Sequence, residues 1–509
     1  MSSAYGADAS SPSTRLLARV LATTGYDSLP ADVIDHARRT VTDWLGSVLA
    51  GSIEKPARLA QHVAAGFGAS DEATIFSAGR GSAPAAALAN GVASHILELD
   101  DIHRGSTVHA AAPIIPAALA VAEREHTDGR AFLAAVAIGY EAAFRIGEAV
   151  NPSHYYFFHP TGTVATFGAA AAAGSLVGLN TEQMIDALGS AGTQAAALWE
   201  FNADGAMSKH LHPGKAAMNG VLAADLARIG FTGASRILEG ERGFFRAMTG
   251  GPERSAPHSG RSAPNSGGSA PHYDASRITD GLGTRWKIGE NGYKLYSCCA
   301  HTHTAVDCAL DVRARRRWSG KDVLREVASV TIETYRTGYE IVKETNPHTP
   351  YQAKFSLAYC VATALLEGTL GLDQFGEERF GAGGVCEPAI AELLGRTHVI
   401  VRDDLSAKYP SAWPVRLTVS LNEGAPERAS SEHPRGNPEN PVSTAELESK
   451  FTTLVAARFG DDAARSALET LHSIDRCTDM ATLLSPLGRL KGRLKPAPTY
   501  GESISAPLA

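Results

Sequence analysis

The sequence predicts a mainly α-helical protein: a large all-helical domain built from both chain ends, with a smaller α+β lid domain inserted between them. Three observations predict it. Apolar residues recur at spacings of three and four through nearly the whole first half. Alternation of apolar with polar residues, rich in Val, Ile and Thr, is confined to the stretch from about residue 280 to about 425. Helical spacing then resumes at Thr444. The expected boundaries are 1–250 for the first helical part, 251–275 for a Ser/Ala/Pro-rich flexible insertion, 276–425 for the α+β domain and 426–509 for the helical return. At 509 residues the chain far exceeds one core, at roughly 150 residues per domain.

In order along the chain, SLPADVIDHARRTVTDWLGSVLAGS places Pro30 at a helix start, Val33, Ala37, Val41, Leu45 and Val48 on one face, and Gly51 at the stop. The same pattern recurs in PAAALANGVASHILEL, in PIIPAALAVAEREHTDGRAFLAAVAIGYEAAFRIGEAV and in TEQMIDALGSAGTQAAALWE, with no strand expected before about residue 280. VATFGAAAAAGSLVGL, from Val164, is the most apolar run. At about 16 small residues it is short for a membrane span and suits close helix packing. Ser-Ala-Pro repeats at 255, 262 and 269 without an apolar seam, as in a linker. EVASVTIETYRTGYEIV, THVIVRDDLS and PVRLTVSLNEG read as half-buried strands, separated by the helical AVDCALDVRARRRW and KFSLAYCVATALLEG.

Composition narrows the function. A net charge of −7, with Lys and Arg scattered, leaves no footprint for nucleic acid. Cysteines at 298, 299, 308, 360, 386 and 477 follow no disulfide framework, and the N-terminus lacks a signal peptide's basic and apolar regions. A cytoplasmic protein is expected. G-x-S-x-G, Walker A and Rossmann glycine motifs are missing, which argues against serine hydrolysis and nucleotide cofactors.

Titratable groups concentrate in four segments at element junctions: ELDDIHRGSTVH (98–109), YYFFHPTGT with His159, MSKHLHPGK with Lys209, His210, His212 and Lys215, and YKLYSCCAHTHTAVD with Lys294, Cys298, Cys299, His301 and His303. The last carries no zinc or iron–sulfur spacing, so no metal is expected there. Thr304 and Asp307 are spaced as a capping box, which would set His303 just before a helix N-terminus suited to an anion. Imidazoles, carboxylates, lysines and tyrosines are the equipment for moving protons beside a carboxylate without a cofactor. Lysines and a helix N-terminus would stabilise the charge that develops. Cys298 and Cys299 read as packing thiols.

The segments YDSLPADVIDHARRTVTDWLGSVLAG, ELDDIH with its following His, FHPTGT, KHLHPGKAA, KLYSCCAHTHTA and AKFSLAYCVA together resemble the MmgE/PrpD family, from about Ser13 to the C-terminal helices. That family includes 2-methylcitrate dehydratase, cis-aconitate decarboxylase and iminodisuccinate epimerase. The resemblance implies a homodimer with a cofactor-free site where the two domains join. It implies catalytic roles for His109, His159, Lys209, Lys294 and Tyr359 with an acidic position at Glu98 or its neighbours Asp100 and Asp101, of which Asp101 is the catalytic candidate; Glu98, Asp100 and Ile102, with His212 and His303 from the titratable clusters, are the candidate substrate contacts. The chain departs from the family in having Ile102 where Thr is common, Glu98 for Asp, and His109-Ala-Ala for His-Pro-Ser. The expected activity is a lyase that dehydrates, hydrates or decarboxylates a di- or tricarboxylate. The alternatives are an epimerase working by α-proton exchange and a non-catalytic dimeric polycarboxylate-binding protein. No nucleic-acid or membrane partner is expected.

Overall fold

The computed structural model describes residues 12–249 and 272–492. The Ser-Ala-Pro repeat lies outside the described residues. The protein is mainly helical, and the described chain divides into two compact units, one of residues up to Lys294 with Arg435–Lys491, the other Leu295–Pro434.

The first unit is a pack of helices: α1 (Ser13–Thr23), α2 (Ala31–Gly51), α3 (Lys55–Ala65), α4 (Ala83–His95), α5 (Ala111–Arg124), α6 (Gly129–Val150), α7 (Pro160–Leu176), α8 (Thr181–Thr193) and α9 (Ser208–Arg228). Pro30 directly precedes α2, where a missing N–H costs nothing. Asp128 caps α6 by accepting the Ala131 N–H at 2.7 Å. An antiparallel pair, β1 (Ala73–Ile75) and β2 (Gly79–Gly81), interrupts the helices where none was expected. It is too short for period-two alternation to show, and its strands are held by Glu123, which accepts the Thr74 N–H.

Helices α4 and α9 meet backbone to backbone. A Cβ on Gly91 would stand 2.7 Å from Gly214 Cα, and one on Gly214 2.6 Å from the Leu88 carbonyl. This crossing draws the end of α4 against the start of α9, the two ends that carry titratable residues. Gly91→Val would wedge the helices apart. The expected cost is about 1–3 kcal/mol of stability, with activity lost before the fold, as a urea titration run beside an activity assay would show.

The second unit contains α10 (Ala300–Arg316), β3 (Val327–Thr334), α11 (Leu357–Glu367), β4 (Thr397–Val401), β5 (Val415–Leu421) and β6 (Glu427–Ser431). The sheet order is β4-β3-β5-β6, parallel between β4 and β3 and antiparallel elsewhere. Val330 faces Thr397 on one side and Val419 on the other, while Val330, Ile332, Leu417 and Val419 bury one face with residues of α10 and α11. The chain then returns to the first unit as α12 (Thr444–Phe459), capped by the reciprocal Ser443 and Glu446 box, and α13 (Asp461–Leu471). α12 packs on α2.

Two local expectations fail. The Thr304–Asp307 capping box does not form: α10 starts earlier, at Ala300, Thr304 donates to the Trp413 carbonyl (2.8 Å), and Asp307 accepts from Tyr296 Oη (2.6 Å). Residues 276–294, expected in the α+β domain, fall in the helical unit, and 426–434, expected in the helical return, fall in the second unit with β6. Buried Arg145 gathers the carbonyls of Arg277, Ile278, Asp280 and Arg285, and Tyr293 Oη lies 3.2 Å from Thr40 Oγ1. Among the described residues no helix is long and apolar enough to cross a membrane.

Candidate active site

The end of α4 runs into ELDDIHRGSTVH, and this segment is buried rather than solvated. Glu98, Asp100 and Asp101 are at most 2 % exposed. Burying carboxylates demands partners, and each has a different set.

Glu98 is gripped by two lysines. One oxygen pairs with Lys209 Nζ at the start of α9, the other with Lys294 Nζ at 3.1 Å. Burial alone would raise the Glu98 pKa. The Lys209 and Lys294 charges outweigh it and hold the carboxyl well below its ordinary range. Glu98 also has a left-handed backbone, φ 57°, a conformation that costs a non-glycine residue about 1–3 kcal/mol and clusters at functional sites.

Asp101 serves the scaffold. Its Oδ1 accepts the Ala111 N–H at the start of α5 (3.0 Å), and its Oδ2 accepts from Tyr140 Oη (2.5 Å) and Asn291 Nδ2 (2.9 Å). Its carbonyl accepts from His109 Nδ1 at 2.6 Å. A carbonyl can only accept, so Nδ1 of His109 carries the proton and Nε2 keeps the lone pair. The His109 backbone N–H donates to Thr161 Oγ1 (3.1 Å). Burial, deepened by His95 and Lys294 and only partly offset by Asp100, lowers the His109 pKa to about 3. The imidazole is therefore neutral at rest, with its basic nitrogen fixed by the backbone.

His159 precedes α7, with Pro160 at the first helical position. Its Nδ1 lies 3.1 Å from Nδ1 of His212 on α9, so one nitrogen donates and the other accepts. Burial and neighbouring cationic groups push His159 well below 6.5 and His212 to about 3. His95, the last residue of α4, completes the group: its ring lies 4.9 Å from His109, 5.5 Å from His159 and 6.4 Å from His210, centroid to centroid.

The helical unit thus brings together Glu98, Asp100, Asp101, His109, His159, Lys209, His212 and Lys294. Ile102 contributes its backbone, exchanging two 2.9 Å hydrogen bonds with Gly292, which ties the Lys294 segment to the Glu98 segment. Tyr359 and His303 belong to the second unit. Tyr359 is enclosed in its core and donates to the Gln374 carbonyl (2.5 Å), while His303, inside the first turn of α10, has Nε2 3.3 Å from the Cys298 carbonyl. Tyr359 is thereby built into its own unit's packing. Sequence reasoning missed His95, although it lies only five residues before Asp100.

Among the described residues, two groups have ligand atoms close enough for a metal ion: His95, Asp100 and His109, and His103, Glu148 and Glu290. In the first, His95 Nδ1 and His109 Nδ1 already hold Asp100 and the Asp101 carbonyl. In the second, Lys287 Nζ lies 2.9 Å from Glu148 and 3.0 Å from Glu290, supplying the cation itself.

The MmgE/PrpD N-terminal domain matches residues 15–256, and the MmgE/PrpD C-terminal domain matches 296–476. The chain belongs to the MmgE/PrpD family. Cis-aconitate decarboxylase of Aspergillus terreus is 25% identical over 476 residues, spanning 91% of this chain and 93% of that protein. Human cis-aconitate decarboxylase is 24% identical over 469 residues, spanning 89% and 90%. The mouse protein of that name is 25% identical over 419 residues, 78% of each chain. Both family domains are thus present, and the buried segment from Glu98 to His109 lies in the N-terminal one.

Burial raises the pKa of Asp101, and that of Glu123 beneath β1, to about 7. A raised carboxyl binds its proton more tightly folded than unfolded. Its contribution to stability is full below the unfolded pKa and is lost as pH climbs through about 7. Thermal unfolding followed from about pH 5.5 to 8.5 should therefore show a falling Tm, and Asp101→Asn should flatten the decline.

Proposed function

We propose that this MmgE/PrpD enzyme is a cofactor-independent lyase acting on a di- or tricarboxylate by proton transfer beside a carboxylate. The supporting observation is the buried Lys209–Glu98–Lys294 bridge next to a histidine whose Nε2 is left as a base. A substrate carboxylate drawn to the two ammonium groups would place its α-carbon near imidazoles. Negative charge building on that carboxylate as a proton moves would be stabilised by groups already in place. Acidic substrates also add negative charge beside His109 and His159, which raises their affinity for protons and turns neutral imidazoles into acids.

The names of the relatives make decarboxylation of cis-aconitate the first reaction to test. Purified protein given cis-aconitate in heavy water should release CO2 and form a five-carbon unsaturated dicarboxylate carrying deuterium, visible by NMR. Gain or loss of water in a panel of polycarboxylates would assign a dehydratase. Deuterium entering recovered substrate without CO2 or alkene formation would assign the epimerase. Ligand-raised Tm with no turnover of any polycarboxylate would leave a binding protein and overturn the enzymatic reading.

We also propose a homodimer. Leu211, Met218 and Leu222 fall within about 20° of one line along α9, which the capping residue Ile229 extends, and Leu211, Leu222 and Ile229 are exposed. An apolar stripe of this kind on the surface fits a second copy. Light scattering at micromolar concentration should report a dimer, and Leu222→Glu should give a monomer.

A further inference from the structure

We infer that His95 is a positioning residue for proton transfer at His109, acting through Asp100; this rests on the reading of His109 as the base. Asp100 Oδ2 is shared unequally between two imidazoles. It lies 2.6 Å from His95 Nδ1 and 3.6 Å from His109 Nδ1. Both His95 and Asp100 are fully buried. The carboxylate can only accept, so His95 donates Nδ1–H to it. Among the described residues, Asp100 Oδ1 and His95 Nε2 have no hydrogen-bond partner. Asp100 is therefore an anion held back from His109 by a single donor.

That arrangement divides the work between two acceptors. The Asp101 carbonyl orients His109 and leaves Nε2 as the lone-pair nitrogen. Asp100, one step further away, supplies a negative charge that stabilises the imidazolium once His109 has taken a proton, without closing on the neutral ring beforehand. His95 sets that distance. The other charged or titratable groups facing His109 are Glu98 on the same segment, Lys294 on the segment paired with it and His159 before α7, with Lys209 of α9 reaching it through Glu98 and His159. The His95 ring packs against both others, edge-on to His109 at 4.9 Å and stacked on His159 at 5.5 Å, so its removal would also loosen both.

The experiment follows the His109 imidazole directly, by NMR titration of histidine-labelled protein with the signal assigned by its loss in His109→Gln. This readout does not need turnover, so a failed search for substrate cannot be confused with failure here. His95→Phe keeps a ring and removes the donor. Asp100 should then close on His109, and the His109 midpoint should rise by about one pH unit or more. His95→Gln, which can still donate to Asp100, should return it towards the wild-type value. Asp100→Asn should move it the opposite way. In an active protein the acid limb of kcat/KM should track these shifts. A His109 midpoint unchanged in folded His95→Phe overturns the inference. If that variant fails to fold, an unchanged midpoint in Asp100→Asn, or a shifted one in His95→Gln, overturns it equally.

Discussion

His109→Gln should lower kcat/KM on a competent polycarboxylate by about 10²–10⁴-fold, the usual contribution of a positioned general acid or base. Glutamine keeps a polar side chain of moderate length but has no lone-pair nitrogen of suitable basicity. Only Nε2 of His109 is available for the reaction, because Nδ1 is spent on the Asp101 carbonyl. The fold should survive, since α5 is capped by Asp101 rather than by His109. Steady-state kinetics together with a melting curve decide it. An unchanged Tm with a collapsed kcat is the expected result, and wild-type turnover would remove His109 from the mechanism.

Glu98→Gln should be among the most damaging single changes in the site. It leaves the buried ammonium groups of Lys209 and Lys294 without their shared carboxylate. Removing one partner of a buried ion pair typically costs about 3–5 kcal/mol, because a charge is left uncompensated in a low-dielectric interior. Lys294→Met should be milder for stability, since Glu98 keeps Lys209, yet it should weaken carboxylate binding and raise KM. Combining Glu98→Gln with Lys294→Met should recover part of the lost stability, one buried charge having been removed, while activity stays low. Urea unfolding of the three variants separates these outcomes. A double variant less stable than Glu98→Gln alone would show that Lys294 stabilises the fold by something other than its charge.

Local rules carried much of the architecture. Pro30 and the apolar face of Val33, Ala37 and Val41 locate α2, and the Ser443–Glu446 box opens α12 where helical spacing resumes. Val330, Ile332, Leu417 and Val419 announce the sheet through alternation, because one face of each strand is buried. The β1–β2 pair escaped because strands of three residues are too short to alternate. The Thr304–Asp307 box misled because a spacing rule cannot see Trp413, whose carbonyl takes the Thr304 hydroxyl.

The candidate site divides in the same way. That 98–109 is chemically unusual is written in its residues, since so many titratable groups after an Ala-rich helix call for partners. Which partners they take depends on segments far away along the chain. Glu98 meets Lys209 and Lys294 only because Gly91 and Gly214 let α4 touch α9, and because Ile102 pairs with Gly292. His95 ends a helix that reads as plain core, and its importance comes from Asp100 and from two imidazoles packed against it, His159 stacked and His109 edge-on. Tyr359 has the right chemistry in the sequence, but its hydroxyl is given to the Gln374 carbonyl inside another core. Residue types and their periodicity set the helical class, the inserted sheet and the stretches dense in titratable groups, because those follow from short-range geometry and from the cost of burying charge. Tertiary structure alone decided which charges share a hydrogen bond and which nitrogen of His109 keeps its lone pair, because these depend on angstrom-scale approach between residues far apart in the chain.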